Sequence, residues 1–237
     1  MVHEIQNKKE ITIKLFCMPL NKNLSLLIVV LIALAPLVYL AAIWSSIPDI
    51  VPVHFDSNFK PDRMDRKTTL WLGSGILSGV SILVYLIMLN IRKIDPKQKG
   101  QPPSASFKRL AVVIVVFIAA LNMIIILSSV KNEELMKRVM FPLLGFMFAF
   151  IGNYMANLKP NYFAGIRLPW TLSSDYNWKK THHLAGKLWF FGGLTAAIVS
   201  LFTPFTFAMV FTLSVVFIMV IIPCVYSYLL FRREGRE

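Results

Sequence analysis

The residue types with chemistry in them gather in two places. The first is 161–187, which sets Asn161, Gly165, Arg167, Pro169, Trp170, Trp178, Lys180 and the pair His182–His183 between two long apolar segments. Arg167 is the lone arginine of that stretch, and a planar guanidinium can clamp a carboxylate or a phosphate through two parallel hydrogen bonds. Adjacent histidines invite a metal reading. Helical neighbours point about 100° apart, however, so the two rings cannot comfortably share one ion. The second place is 45–68, where His54, Asp56 and Asp62 offer one imidazole and two carboxylates, a set that could hold a hard or borderline cation. That stretch carries as many acids as bases and reads first as a solvated loop. No metal and no cofactor is expected at either place. No HExxH, Walker loop or nucleophile elbow occurs in the chain.

Local rules shape the first stretch. Gly165 allows a positive φ. Pro169 pushes Leu168 toward extended geometry. Ser173, Ser174 and Asp175 are good N-cap residues. A short helix is expected to start there and run through Trp178 to His183, and on toward the next apolar segment. On it, Trp178, His182, Ala185 and Trp189 form one stripe, with Lys179, Lys180, His183 and Lys187 to another side. The pattern is that of an interfacial segment, with Trp at headgroup level and Lys snorkelling. Trp170 and Trp178 thus have two open readings, membrane anchoring and partner contact.

The elements that carry these stretches follow from composition. Hydrophobic residues make up 56% of the chain and charged residues 16%, against about 25% charged in a soluble domain. A bilayer core about 30 Å thick takes roughly 20 helical residues to cross. Six uncharged apolar runs meet that length, at about 24–44, 69–91, 110–130, 139–158, 188–206 and 208–230. Backbone groups in lipid must bond within their own segment, so each run is expected to be a helix. The first run continues apolar well past Ala33-Leu34-Ala35, so it reads as a span rather than a cleaved signal. With the N-terminus inside, the inner segments hold 18 of the 25 Lys and Arg residues, as the positive-inside rule favours. The expected class is therefore an all-α polytopic membrane bundle of six transmembrane helices, both termini cytoplasmic. The formal charge of +13 is read as topology and a preference for anionic headgroups, not as direct nucleic-acid binding. Cys17 and Cys224 lie too far apart to pair, and no disulfide is expected.

The organisation expected is a cytoplasmic tail at 1–23, a helix pair at 24–91 with an outer loop at 45–68, a flexible cytoplasmic linker at 92–109 containing Pro96, Gly100, Pro102 and Pro103, and a four-helix region at 110–237 with the inner loop 159–187. Residues 131–138 read as a wet outer turn, and Thr203-Pro204-Phe205 as a tight hairpin. Gly75-x-x-x-Gly79 and the group Gly192, Gly193, Ala196 and Ala197 read as helix contacts, within the chain rather than between copies.

Two patterns carry a resemblance. The run Asn161-x-x-x-Gly165-Ile166-Arg167-x-Pro169-Trp170-Thr171-Leu172-Ser173, then Trp178-x-Lys180-Thr181-His182 and Gly186, with Gly152-Asn153 upstream, resembles the SdpI family of bacterial membrane proteins. The outer sequence Ile47-Pro48-Asp49-x-x-Pro52-Val53-His54-Phe55, with Pro61-Asp62, is similar to DUF1648, a segment often found ahead of SdpI-type regions. It departs from that pattern at Phe59-Lys60, where a Gly usually precedes Pro-Asp, which puts the usual turn in question. The resemblance implies an immunity protein of the bacterial cell membrane. Such a protein protects against a secreted membrane-active peptide and, when toxin-bound, holds a cytoplasmic transcriptional repressor at the membrane. It further implies that Pro52, His54, Phe55, Pro61 and Asp62 meet the peptide. The partner would meet Asn161, Gly165, Arg167, Pro169, Trp170, Trp178, Lys180 and His182.

Two other classes compete. A transporter or peptide exporter normally carries ionisable groups within the membrane, whereas the buried polar groups expected in these uncharged runs are Asn122, Asn153, Asn157 and scattered Ser and Thr. A metal-dependent membrane enzyme would have to rest on His54, Asp56 and Asp62. The expectation is no enzyme.

Overall fold

The computed structural model describes residues 22–98, 105–130 and 134–234. The expectations for 1–21, including Cys17, and for Gly100, Pro102 and Pro103 lie outside the described residues. Six helices are long and apolar enough to cross a membrane: α1 (Lys22–Ile43), α2 (Thr69–Leu89), α3 (Ala105–Val130), α4 (Glu134–Met155), α5 (Asp175–Phe202) and α6 (Phe205–Glu234). The expected spans are present, but α3, α4, α5 and α6 start before their apolar runs. The clearest case is α5, which begins in the polar stretch at Asp175. There the Ser174 hydroxyl accepts the Asn177 N–H at 3.1 Å and caps the first turn.

Packing uses small residues where backbones meet. A Cβ on Gly145 or Gly152 of α4 would come within 2.4 Å of the α5 backbone, at Ala197 and Phe190 respectively. Gly193 of α5 fits as closely against Ala149. The α4–α5 pair is thus joined backbone to backbone, as in small-residue membrane interfaces, and α6 packs against α5 and touches α4. For Gly75-x-x-x-Gly79 the expected contact within the chain is corrected, because neither glycine has any described atom within 4 Å of a Cβ position. The face of α2 that meets α3 is instead Ser74, Ser78 and Ser81. There the buried Asn122 amide donates to the Ser74 carbonyl at 3.1 Å.

The segment at 45–68, expected as a Pro- and Asp-rich outer loop, contains a β-hairpin. Strands β1 (Ile50–Phe55) and β2 (Pro61–Arg66) pair antiparallel, from Ile50 opposite Arg66 to Phe55 opposite Pro61. Val51 turns inward and joins Leu40, Ile47, Leu70 and Ile126 in one apolar cluster, which seats the hairpin on α1, α2 and α3. A second cluster, including Tyr85, Phe107, Val115, Met155 and Ala185, closes the opposite end of the bundle. The hairpin and the α5–α6 turn mark one face of the molecule. The 90–98 and 156–174 connections mark the other.

Candidate functional site

The loop between α4 and α5 is built around three buried side chains. Asn161 is fully buried and spends its whole amide on the loop. Its Nδ2 donates to the carbonyls of Lys159 at 2.9 Å and Ala164 at 3.0 Å, and its Oδ1 accepts the N–H groups of Phe163 and Ala164 at 2.8 and 2.7 Å. Trp178 is also buried, and its Nε1 donates to the Leu158 carbonyl at 2.8 Å. His182 stacks on Trp178 with ring centroids 3.9 Å apart. Its Nδ1 lies 2.9 Å from the Trp178 carbonyl, which can only accept, so Nδ1 carries the hydrogen. Its Nε2 then accepts the Ile166 N–H at 3.0 Å. Gly165 passes directly over this ring with φ +109°, and a Cβ there would fall 2.3 Å from Nε2. The glycine is required twice over, by conformation and by space.

Beyond Gly165 the chain makes a single helical turn at Pro169–Ser173, an element not expected from the sequence. Thr171, buried beneath it, accepts the Leu168 N–H at 2.9 Å and donates to the Ile166 carbonyl at 2.8 Å. Trp170 reaches α6, where its Nε1 donates to the Ser227 hydroxyl at 2.9 Å and its ring lies against Tyr228 and Phe231. Asn177 reaches the same place and donates to the Ser227 carbonyl at 2.9 Å.

The candidate residues therefore divide. Asn161, Trp178 and His182 are interior and hold the loop's shape. The anchoring reading of Trp178 is corrected, because an indole inside the protein cannot sit among headgroups. Trp170 is half-buried against α6. Gly165, Arg167, Pro169 and Lys180 are exposed. The Arg167 guanidinium donates through Nη1 to the Tyr162 carbonyl at 2.6 Å, which leaves its other N–H groups facing outward. Lys180 lies over the Tyr176 ring at 5.5 Å.

Sequence reasoning missed Asp95. Its segment was read as flexible linker, yet Asp95 is 1% exposed. One carboxylate oxygen accepts the Tyr162 N–H at 2.7 Å, and the other accepts the Lys97 N–H at 2.8 Å. The Lys97 ammonium donates to the Leu172 carbonyl and lies over the Tyr162 ring. An Asp before a Pro at a helix end looks like any solvated turn, so the sequence held no signal beyond that dipeptide.

On the opposite face, His54 and Asp62 meet across the hairpin at 2.6 Å, both exposed. Asp56 does not join them. Its Oδ1 accepts the backbone N–H groups of Lys60 and Asn58, each at 2.8 Å, and these bonds hold its carboxyl below the ordinary value of 3.8. Among the described residues no three His, Cys, Asp or Glu side chains converge on one point. Pro52 is buried, and Phe55 and Pro61 are half-buried. The turn in question at Phe59-Lys60 does form, with Phe59 itself taking φ +53°. That conformation costs a non-glycine residue roughly 1–2 kcal/mol. The Phe59 ring finds compensation against Phe205 at 5.5 Å and Phe141 at 6.3 Å. Beside it opens a cleft of about 570 Å³ whose walls include Lys137, Arg138, Phe202, Thr203 and Phe205. The hairpin tip thus rests on the rim of the C-terminal helices.

Comparison with known proteins agrees with this architecture. Residues 157–227 match the model of the SdpI/YfhL protein family. Residues 31–77 match the domain of unknown function DUF1648. The chain is 22% identical over 193 residues to "Immunity protein SdpI" of Bacillus subtilis (strain 168), covering 78% of this chain and 84% of that protein. No solved structure matches it. The loop moored by Asn161, Trp178 and His182 lies inside the first matched segment, and the hairpin inside the second. The chain is accordingly a multi-pass membrane protein whose residues 157–227 are similar to the SdpI/YfhL family, behind a segment similar to DUF1648.

Proposed function

We propose that this protein is a non-enzymatic immunity protein of a bacterial cell membrane, with both termini cytoplasmic. It receives a membrane-active peptide on the hairpin face and reports it on the loop face. The observation that carries this reading is a pair of moorings at opposite ends of one unit. The hairpin–α2 unit touches the C-terminal helices through Phe59 on Phe141 and Phe205, and touches the inner loop through Asp95 at Tyr162. A peptide that enters the cleft beside Phe205 or engages His54 and Asp62 displaces the Phe59 tip. The strain held at Phe59 favours that release. The shift passes along α2 to Asp95 and alters the exposed surface of Arg167, Pro169 and Lys180, where a cytoplasmic transcriptional repressor is held. Similarity to an immunity protein supports the protective half of this reading.

The test is protection of a bacterial strain deprived of its own immunity protein of this family and challenged with the peptide that strain secretes. The wild-type chain restores growth. Phe59→Ala inserts normally but protects less, and Arg167→Ala protects while failing to retain the repressor at the membrane. Full insertion of the wild-type chain without any protection overturns the proposal. A transport reading draws on the buried Ser81 hydroxyl and Asn122 carbonyl oxygen, which have no partner among the described residues. Solute flux through proteoliposomes, blocked by Asn122→Leu, would support it.

A further inference from the structure

We infer that the groove between α5 and α6 is a binding site for one anionic phospholipid. The groove holds about 330 Å³ and is walled by Leu184, Lys187, Leu188 and Phe191 of α5 and by Val215 and Ile218 of α6. It exists because position 192 is glycine. A Cβ there would come within 2.7 Å of the Met219 sulfur and fill the floor. The Trp189 indole donates to the Met219 carbonyl at 2.9 Å and fixes α6 alongside.

Charge and apolar surface are ordered along this groove as they are along a lipid. Residues 180, 184, 187 and 191 follow each other at helical rungs of four, three and four, so Lys180, Leu184, Lys187 and Phe191 lie on one line of α5. Both lysines lie on the loop side of Phe191, with Leu184 between them, and Phe191, Val215 and Ile218 continue the groove into the span. Lys187 is exposed and makes no ion pair among the described residues. An acyl chain occupies the apolar length, and a headgroup phosphate meets Lys187 and Lys180. A neutral lipid would leave the lysines unused, and a small soluble anion would leave the groove unused. The site lies on the opposite side of α5 from the buried His182, and it does not depend on any toxin.

Native mass spectrometry of the full detergent-purified chain tests this, with phosphatidylglycerol and phosphatidylcholine of identical acyl chains as probes. The wild-type protein retains one phosphatidylglycerol in preference to phosphatidylcholine. The variant Lys180→Ala/Lys187→Ala weakens phosphatidylglycerol retention by about fivefold for each lysine removed and leaves phosphatidylcholine unchanged. Val215→Phe, which fills the groove and keeps both lysines, weakens retention of either lipid. Arg232→Ala/Arg233→Ala removes equal charge from the same face and retains phosphatidylglycerol as the wild type does. Equal retention of the two lipids, an unchanged lysine double variant, or an equal loss in the Arg232/Arg233 control each overturns the assignment.

Discussion

The carboxylate of Asp95 accepts the backbone N–H of Tyr162 at 2.7 Å, across 67 positions of sequence. This bond fastens the end of the N-terminal helix pair to the loop that separates α4 from α5. A buried carboxylate whose two oxygens each accept a backbone N–H is satisfied on the protein's own terms. It orders 92–98, which sequence alone assigned to a flexible linker.

Asp95→Ala leaves the Tyr162 N–H without its acceptor, a loss of roughly 1–3 kcal/mol for a buried group. The 156–174 loop loosens while the helices stay inserted. Limited proteolysis from the loop face should then cut within 156–174 faster than in the wild type, with unchanged expression. An unchanged cleavage pattern would show that the bond is dispensable.

Gly165→Ala meets both a positive φ and the His182 ring. The backbone strain alone costs roughly 1–2 kcal/mol, and displacement of the ring breaks the Ile166 N–H to Nε2 bond. Thermal denaturation in detergent should show a clear drop. Pairing it with His182→Ala, which vacates the ring, should recover part of that drop. An additive double variant would sever the proposed link between the two positions.

Gly152→Ala and Gly75→Ala separate close packing from an open helix face. The first drives a methyl into the α5 backbone at Phe190, an overpacking cost of about 1–3 kcal/mol. The second meets nothing. Melting temperature should fall for Gly152→Ala and hold for Gly75→Ala. Equal falls would place a neighbour on the Gly75 face.

The hairpin turn should resist acid. Backbone N–H bonds depress the Asp56 pKa below its ordinary 3.8, so the charged, turn-holding form is favoured by folding. Its contribution is fully present above the ordinary value and is lost only as pH falls through the lowered one. Amide chemical shifts of Asn58 and Lys60 should therefore titrate with a midpoint below 3.8. A midpoint at or above that value would remove the carboxylate from the turn.

Sequence alone determined what depends on short range and on solvent. Uncharged runs of about twenty residues in lipid can satisfy their backbones only as helices, so the bundle was legible. Ser174 caps α5 because its hydroxyl lies three residues from the N–H it accepts, and Gly165 was legible as a positive-φ position. The tertiary structure decided everything that joins distant segments. Asp95 looked solvated until Tyr162 arrived against it. Trp178 was open to membrane anchoring or partner contact until Leu158 offered its carbonyl. Gly75 and Gly79 looked like a packing seam, yet the neighbouring serines meet α3 instead. Phe59 occupies a glycine's conformation because Phe141 and Phe205, far along the chain, hold its ring. Partners that meet only when helices pack leave no local trace, since each residue type is equally compatible with water, lipid or a neighbour until the neighbour is in place.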